Sequence, residues 1–412
     1  MKKFILYIFV ASLIVCNYAC NKADKSATED IKPAEPIVLT TRQGEKASAD
    51  NAFSFKMFKE VSALAEEPNT FFSPLSLNMA LGMLYNGASG ETRAEMAEVL
   101  GMADFTDTEI NEYYKKMSQA LLNIDPLTDI SIANSIWYRE GFPVKQSFID
   151  INQEYFDAVV KSLDFSKSDA VDIINKWCAE KTKDRIEKII EAPIDDLTMM
   201  YLINALYFKS NWQFKFDKAN TRQDDFTKAD NQKIKVNMMI QSERFPYYAD
   251  QFLKCVEMPY GNGAFSMVAI LPADNMNIDQ LIEYLDNTVW ENIVENLHEQ
   301  KIGLGLPRFK IECDIPLIEP IKNMGMQLIF NKDLADLTNI SNVRPLFVSD
   351  IKQKTFVEVN EEGTEAAAVT VIGISADSAP PSFFANRPFL YLIKEKSTGA
   401  ILFIGRMDEP KE

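Results

Sequence analysis

The chain has 412 residues, 47% of them hydrophobic, and a formal net charge of −17. That surplus of carboxylates repels phosphate backbones and argues against a nucleic-acid partner. A chain this long buries a large core without disulfide staples, either as two or three domains or as one large sheet-based domain.

Met1-Lys2-Lys3 precedes an apolar run from Phe4 to Cys16, too short to span a bilayer. Ala19-Cys20 follows, and a small residue before a cysteine resembles a bacterial lipoprotein cleavage site. Residues 1–19 are therefore expected to be a signal peptide and Cys20 the lipid anchor, with simple secretion as the alternative. Asn21 to about Asp50 is polar, carries Pro33 and Pro36, and is expected to form a flexible tether. The composition is globular from residue 51 to 412.

Ala52 to Ala65 has apolar residues at helical spacing. Ser73-Pro74 is a helix start, with a capping hydroxyl and a proline suited to the first turn, and the helix runs to near Gly87. Ile130–Tyr138 and Leu202–Lys209 read as strands, and Met258–Gly261 with Phe265–Pro272 as a hairpin. Phe309–Cys313, Thr355–Val359 and Gly399–Arg406 read as further strands. Cys178, Cys255 and Cys313 cannot complete a disulfide framework and are expected to be buried thiols.

The composition gives no support to an enzyme. The one histidine, His298, closes the helical pattern Trp290–Leu297 with no nucleophile motif beside it. There is no glycine-rich phosphate loop and no cysteine or histidine cluster at metal-ligand spacing, so no cofactor and no metal are expected.

The stretch after Val359 organises the rest. Asn360-Glu361-Glu362-Gly363 leads into Thr364-Glu365-Ala366-Ala367-Ala368, and Ala366 to Ala376 holds neither charge nor proline. Thr364, Ala366, Ala368, Thr370, Ile372, Ile374 and Ala376 share one strand face, and all are uncharged; Glu365 and Asp377 share the other. The segment can lie in a sheet with one face buried and one wet.

Glu361-Glu362-Gly363-Thr364-Glu365-Ala366-Ala367-Ala368 resembles the proximal hinge of a serpin reactive-centre loop, and Asn386–Tyr391 resembles the segment that follows it. Asn69–Leu77, Gly87–Thr92, Leu202–Lys209 with Trp212, Leu306–Ile311 and the last strand resemble the same family in order, from about residue 52 to 410. The resemblance implies an α+β serpin fold: several helices around a large, mainly antiparallel sheet A, smaller sheets B and C, and an exposed loop over about 363–385. Counting forward from Gly363 and back from Pro388 gives one scissile bond, Asp377-Ser378.

The resemblance also implies the function. A target serine protease, or a cysteine protease, cleaves that bond and is trapped as an acyl complex while the loop enters the main sheet. Ser73, Ser76 and Asn204 match the polar cluster that controls sheet opening, and Trp212 matches the top of the opening. Gln353 stands where the family often has histidine; an amide both donates and accepts, so a satisfied network remains available. A monomer in the bacterial cell envelope is expected. The alternative is a non-inhibitory serpin acting as a binding or structural protein.

Overall fold

A computed structural model describes residues 32–363 and 381–412; Cys20, Thr364–Ala368, Asp377 and Ser378 lie outside the described residues. In chain order the elements are α1 (Thr41–Leu64), β1 (Thr70–Phe72), α2 (Pro74–Tyr85), α3 (Gly90–Val99), α4 (Asp107–Leu121), β2 (Asp129–Arg139), α5 (Gln146–Phe156), β3 (Val159–Leu163), α6 (Ala170–Lys181) and β4 (Met200–Lys209). Then follow β5 (Arg222–Thr227), β6 (Lys233–Ala249), β7 (Leu253–Pro259), β8 (Phe265–Pro272), α7 (Ile278–Tyr284), α8 (Asn287–Asn296), β9 (His298–Pro307), β10 (Phe309–Pro316), α9 (Ile318–Asn323), β11 (Lys352–Val359), β12 (Ser382–Phe384), β13 (Phe389–Glu395) and β14 (Ile401–Met407). None of the described helices is long and apolar enough to cross a membrane.

The largest sheet runs β1-β14-β13-β8-β7-β6-β9-β12, with β5 paired to β6. Every residue of β8 is buried, which is why Phe265–Pro272 reads as a continuous apolar run rather than an alternating one. The short β12 runs parallel to β9, and Gly305 permits it: a Cβ there would stand 2.5 Å from the Phe384 ring. Against this sheet packs α2, buried along almost its whole length, which explains its apolar character on all sides. A second cluster, including Trp137, Ile174, Cys178 and Ile203, fixes α6 to β2 and β4.

The expected main sheet is present in two pieces. One is β3-β2-β4, with β2 parallel to β3 and antiparallel to β4; the other is the antiparallel pair β10-β11. Among the described residues no ladder joins β4 to β11. The strands are tied at one end by the isolated Asn211–Gly363 bridge, and between them lies a cavity of about 520 Å³.

The tether expected through about Asp50 is shorter than the sequence suggested, because α1 begins at Thr41. Thr40 and Gln43 form a reciprocal capping box, with Gln43 N–H donating to Thr40 Oγ1 at 3.2 Å and Thr40 N–H to Gln43 Oε1 at 3.1 Å. One turn on, Lys46 and Asp50 form a buried ion pair; the Tyr114 hydroxyl of α4 donates to Asp50 at 3.3 Å, and Lys46 Nζ lies 5.3 Å from the Tyr114 ring. The charged residues that made this stretch look solvated are thus an internal contact between two helices.

That contact is testable. Lys46→Met strands the buried carboxylate and should cost about 3–5 kcal/mol. Lys46→Met/Asp50→Leu removes both charges and should recover most of that loss. Urea denaturation of the three proteins decides; equal midpoints for single and double variants would show that the pair does not hold α1 to α4.

Candidate functional site

The site is the end of β11 and the cavity below it. β11 is held by β10 in continuous register from Lys352–Pro316 to Val359–Phe309. The chain then turns within four residues: Asn360 and Gly363 exchange backbone bonds at 3.0 and 3.2 Å, and the Asn360 side chain accepts from Glu362 N–H at 3.0 Å. Gly363 adopts φ +131°, and a Cβ there would lie 2.4 Å from the Ser210 carbonyl oxygen. Only glycine combines that backbone with that approach.

Both glutamates of the expected hinge are buried. Glu361 accepts from Arg308 Nε at 2.7 and 2.8 Å and from the Thr221 hydroxyl at 2.5 Å. Burial alone would raise its carboxyl; the Arg308 guanidinium and the Thr221 hydroxyl outweigh it and hold the group below the usual glutamate range. Glu362 meets Lys218 at 2.9 Å and Lys215 at 3.3 Å. Their backbone is fastened as well, because Trp212 N–H donates to Glu362 O at 2.8 Å and Phe216 N–H to Glu361 O at 2.9 Å.

Trp212 packs over the Asn360–Gly363 turn. Its indole N–H donates to Asn360 O at 2.9 Å, and its ring stacks on Tyr260 at a centroid distance of 4.4 Å. Tyr260 opens the β7–β8 turn, and Gly261 N–H of that turn returns to Asn211 O at 2.8 Å. On the far side of the turn Asn262 O accepts from Ala34 N–H at 3.3 Å, so the domain begins beside the hinge.

The expected polar cluster divides in two. Ser73 caps α2 through Ser76 N–H at 3.1 Å, and its hydroxyl donates to Leu402 O at 2.6 Å. Gln353 joins it by both ends of its amide: Oε1 accepts from Ser73 N–H at 2.7 Å and Nε2 donates to Ser73 O at 3.0 Å. Thr355 continues the tie with a bond to Phe71 O at 2.5 Å. Asn204 stands apart on β4, donating to Asn134 Oδ1 at 2.6 Å, and its own Oδ1 is buried with no hydrogen-bond partner. Ser76, Asn204 and Gln353 all line the cavity, so what they share is that space and not one hydrogen-bond network.

Of His298, Cys178, Cys255 and Cys313, Cys178 lines the cavity. His298 is exposed at the first position of β9, one residue beyond the helical pattern in which the sequence seemed to place it. Cys178 and Cys255 are buried free thiols; Cys313 is half-buried, a departure from the expectation for all three. Burial pushes the Cys178 thiol up to about 12 and Cys313 to about 11, which leaves them protonated and unreactive. Among the described residues no group of acidic, cysteine or histidine side chains is arranged to hold a metal.

A family model described as Serpin (serine protease inhibitor) matches residues 48–410, and the chain belongs to the serpin family. Its relatives include Iripin-3 of Ixodes ricinus, 36% identical over 349 residues (82% of this chain and 88% of that protein), and neuroserpin of Homo sapiens, 35% identical over 379 residues (89% and 92%). In three dimensions it is similar to tengpin, a thermophilic serpin solved in the native state, with TM-score 0.82, 32% identity and coverage of 92% of this chain and 97% of that one. Serpins are in general protease inhibitors rather than enzymes, and the α+β fold expected from the sequence is the serpin fold.

Arg308, Thr221, Lys215, Lys218 and Tyr260 were not singled out as site residues in the sequence. The available signal was two adjacent glutamates at the end of an apolar strand, which need cations if they are buried. The Arg308 contact carries a pH signature. Because the folded Glu361 carboxyl titrates below the unfolded one, its contribution is complete above about pH 4.3 and vanishes as pH falls through the lower folded value. Glu361→Gln should cost about 2 kcal/mol near neutrality and flatten the acid limb of the stability curve. Denaturation midpoints from neutral pH down to acid test this; an acid limb as steep in the variant as in the parent would remove Glu361 as its source.

Proposed function

We propose that the chain is a suicide-type inhibitor of a serine protease, with cleavage at Asp377-Ser378. The protease hydroxyl attacks the Asp377 carbonyl, the peptide bond to Ser378 breaks, and the new amine leaves with a proton. The protease is then held as an ester. The freed segment from Thr364 enters between β4 and β11 as a new strand and carries the protease away before water completes hydrolysis. As a strand, Thr364 to Asp377 is roughly 48 Å long, comparable with a domain of this size.

One observation carries the reading: β4 and β11, bridged at Asn211–Gly363 where the candidate loop begins, diverge toward their other ends and flank a cavity of about 520 Å³ between residues 200–205 and 349–354. The small uncharged set Thr364, Ala366, Ala367 and Ala368 suits entry into a tight slot, whereas a binding-only member of the family would need no such composition. Export by residues 1–19 and a lipid on Cys20 belong to the same reading. Residues 21–33 then reach at most about 45 Å from the anchor when fully extended. Secretion without the lipid is the alternative.

The test is a panel of proteases followed by boiling in SDS. A covalent complex should survive, with a released C-terminal fragment beginning at Ser378. No basic residue lies between Glu365 and Arg387, so trypsin-like enzymes should be poor targets. Thr364→Arg puts a charge on the strand face that must be buried, a cost of several kcal/mol, and should turn the trap into a substrate. Glu365→Arg lies on the other face and should do far less. If the two variants give the same ratio of complex to cleaved protein, insertion in this register is wrong.

A further inference from the structure

The cavity between β4 and β11 is lined mostly by apolar side chains. Leu77, Leu81 and Leu84 of α2, Ile189, Leu346 and Val348 give it hydrocarbon walls, and the buried Ser76 and Gln353 with the half-buried Asn204 add polar groups to the lining. Its mouth is different. Asp195 and Asp350 are both exposed there, beside the Thr198 and Ser349 hydroxyls, and Leu197 at the rim is 77% exposed. The one cation on the lining, Lys354, is paired with Asp314 at 3.0 Å. Outside the lining, the Arg139 guanidinium bonds to the Asp195 and Thr198 carbonyl oxygens at 3.0 and 2.9 Å and not to the carboxylates.

An apolar body with an anionic rim selects a ligand by both ends. A cavity of about 520 Å³ lies in the ordinary range for small-ligand sites and has room for a hydrocarbon chain. Two carboxylates at the mouth favour a cationic or uncharged head and disfavour a carboxylate. The half-exposed and exposed hydrophobic groups at the rim give such a chain a path in.

We propose that this cavity binds a single-chain amphiphile with a neutral or cationic head, and that the bound chain occupies the space an inserting strand needs. Occupancy then sets how many encounters with a protease end in a trap and how many end in simple cleavage. The second half rests on the insertion reading; binding itself does not.

Equilibrium dialysis of the full chain against 1-tetradecanol, tetradecylamine and tetradecanoate, each below its micellar concentration, separates the two. About one equivalent of the alcohol and of the amine should bind, with tetradecanoate at least about tenfold weaker. Ala80→Trp, which fills the cavity from α2, should abolish binding. Asp195→Asn/Asp350→Asn changes exposed side chains alone and should bring amine and tetradecanoate within about twofold of each other. Equal binding of all three probes to the parent, no binding, or unchanged binding to Ala80→Trp would overturn the site. Saturating amine should raise the ratio of cleaved inhibitor to complex by about fivefold, and an unchanged ratio would overturn the regulatory half. If the ligand-free protein forms no complex with any protease, the inhibitor reading fails while the dialysis still decides the site.

Discussion

A buried carboxylate governs this molecule. Glu361 lies beneath the surface where β11 ends, and it is tolerable there because Arg308 and Thr221 surround its oxygens. Removing such a partner costs far more than the pair contributes over an apolar substitute, so the pair acts chiefly by fixing position. It fixes the turn Asn360–Gly363 against Trp212 and Phe216, and through them it ties β11 to the strand that continues β4. Closure at this end and separation farther along are one arrangement: among the described residues the two sheet pieces meet around the Asn211–Gly363 bridge and part toward the cavity.

The void has a thermodynamic meaning. An apolar cavity forfeits dispersion contacts along its lining. The stable packing elsewhere, with α2 buried on nearly every side and β8 buried on both faces, carries that deficit. Asn204 shows it locally, with a buried Oδ1 that bonds to nothing described.

Much of this was legible in the sequence because the signals were local. Ser73-Pro74 announced α2, the run Leu202–Lys209 announced β4, and alternation from Thr355 announced the end of β11. The residues of the expected hinge were proposed from their resemblance to one family, not from composition or spacing. What escaped was long-range or disguised. Arg308 is 53 positions from Glu361 in the chain, and no pattern in one sequence pairs them. The start of α1 was hidden because Arg42, Glu45, Lys46 and Asp50 look solvated, and only the Thr40–Gln43 capping pair marked it. The division of the main sheet is a property of tertiary packing, invisible in strands that each read as ordinary.

Gln353 has one further consequence. At the base of the opening it holds the Ser73 backbone with an amide, and the chain's single histidine is far off in sequence and exposed on β9. An imidazole in that place would gain charge between about pH 5 and 8, and the opening would inherit a proton-sensing role. An amide has no such titration. The contact between Gln353 and the Ser73 backbone is therefore indifferent to acidity across that range.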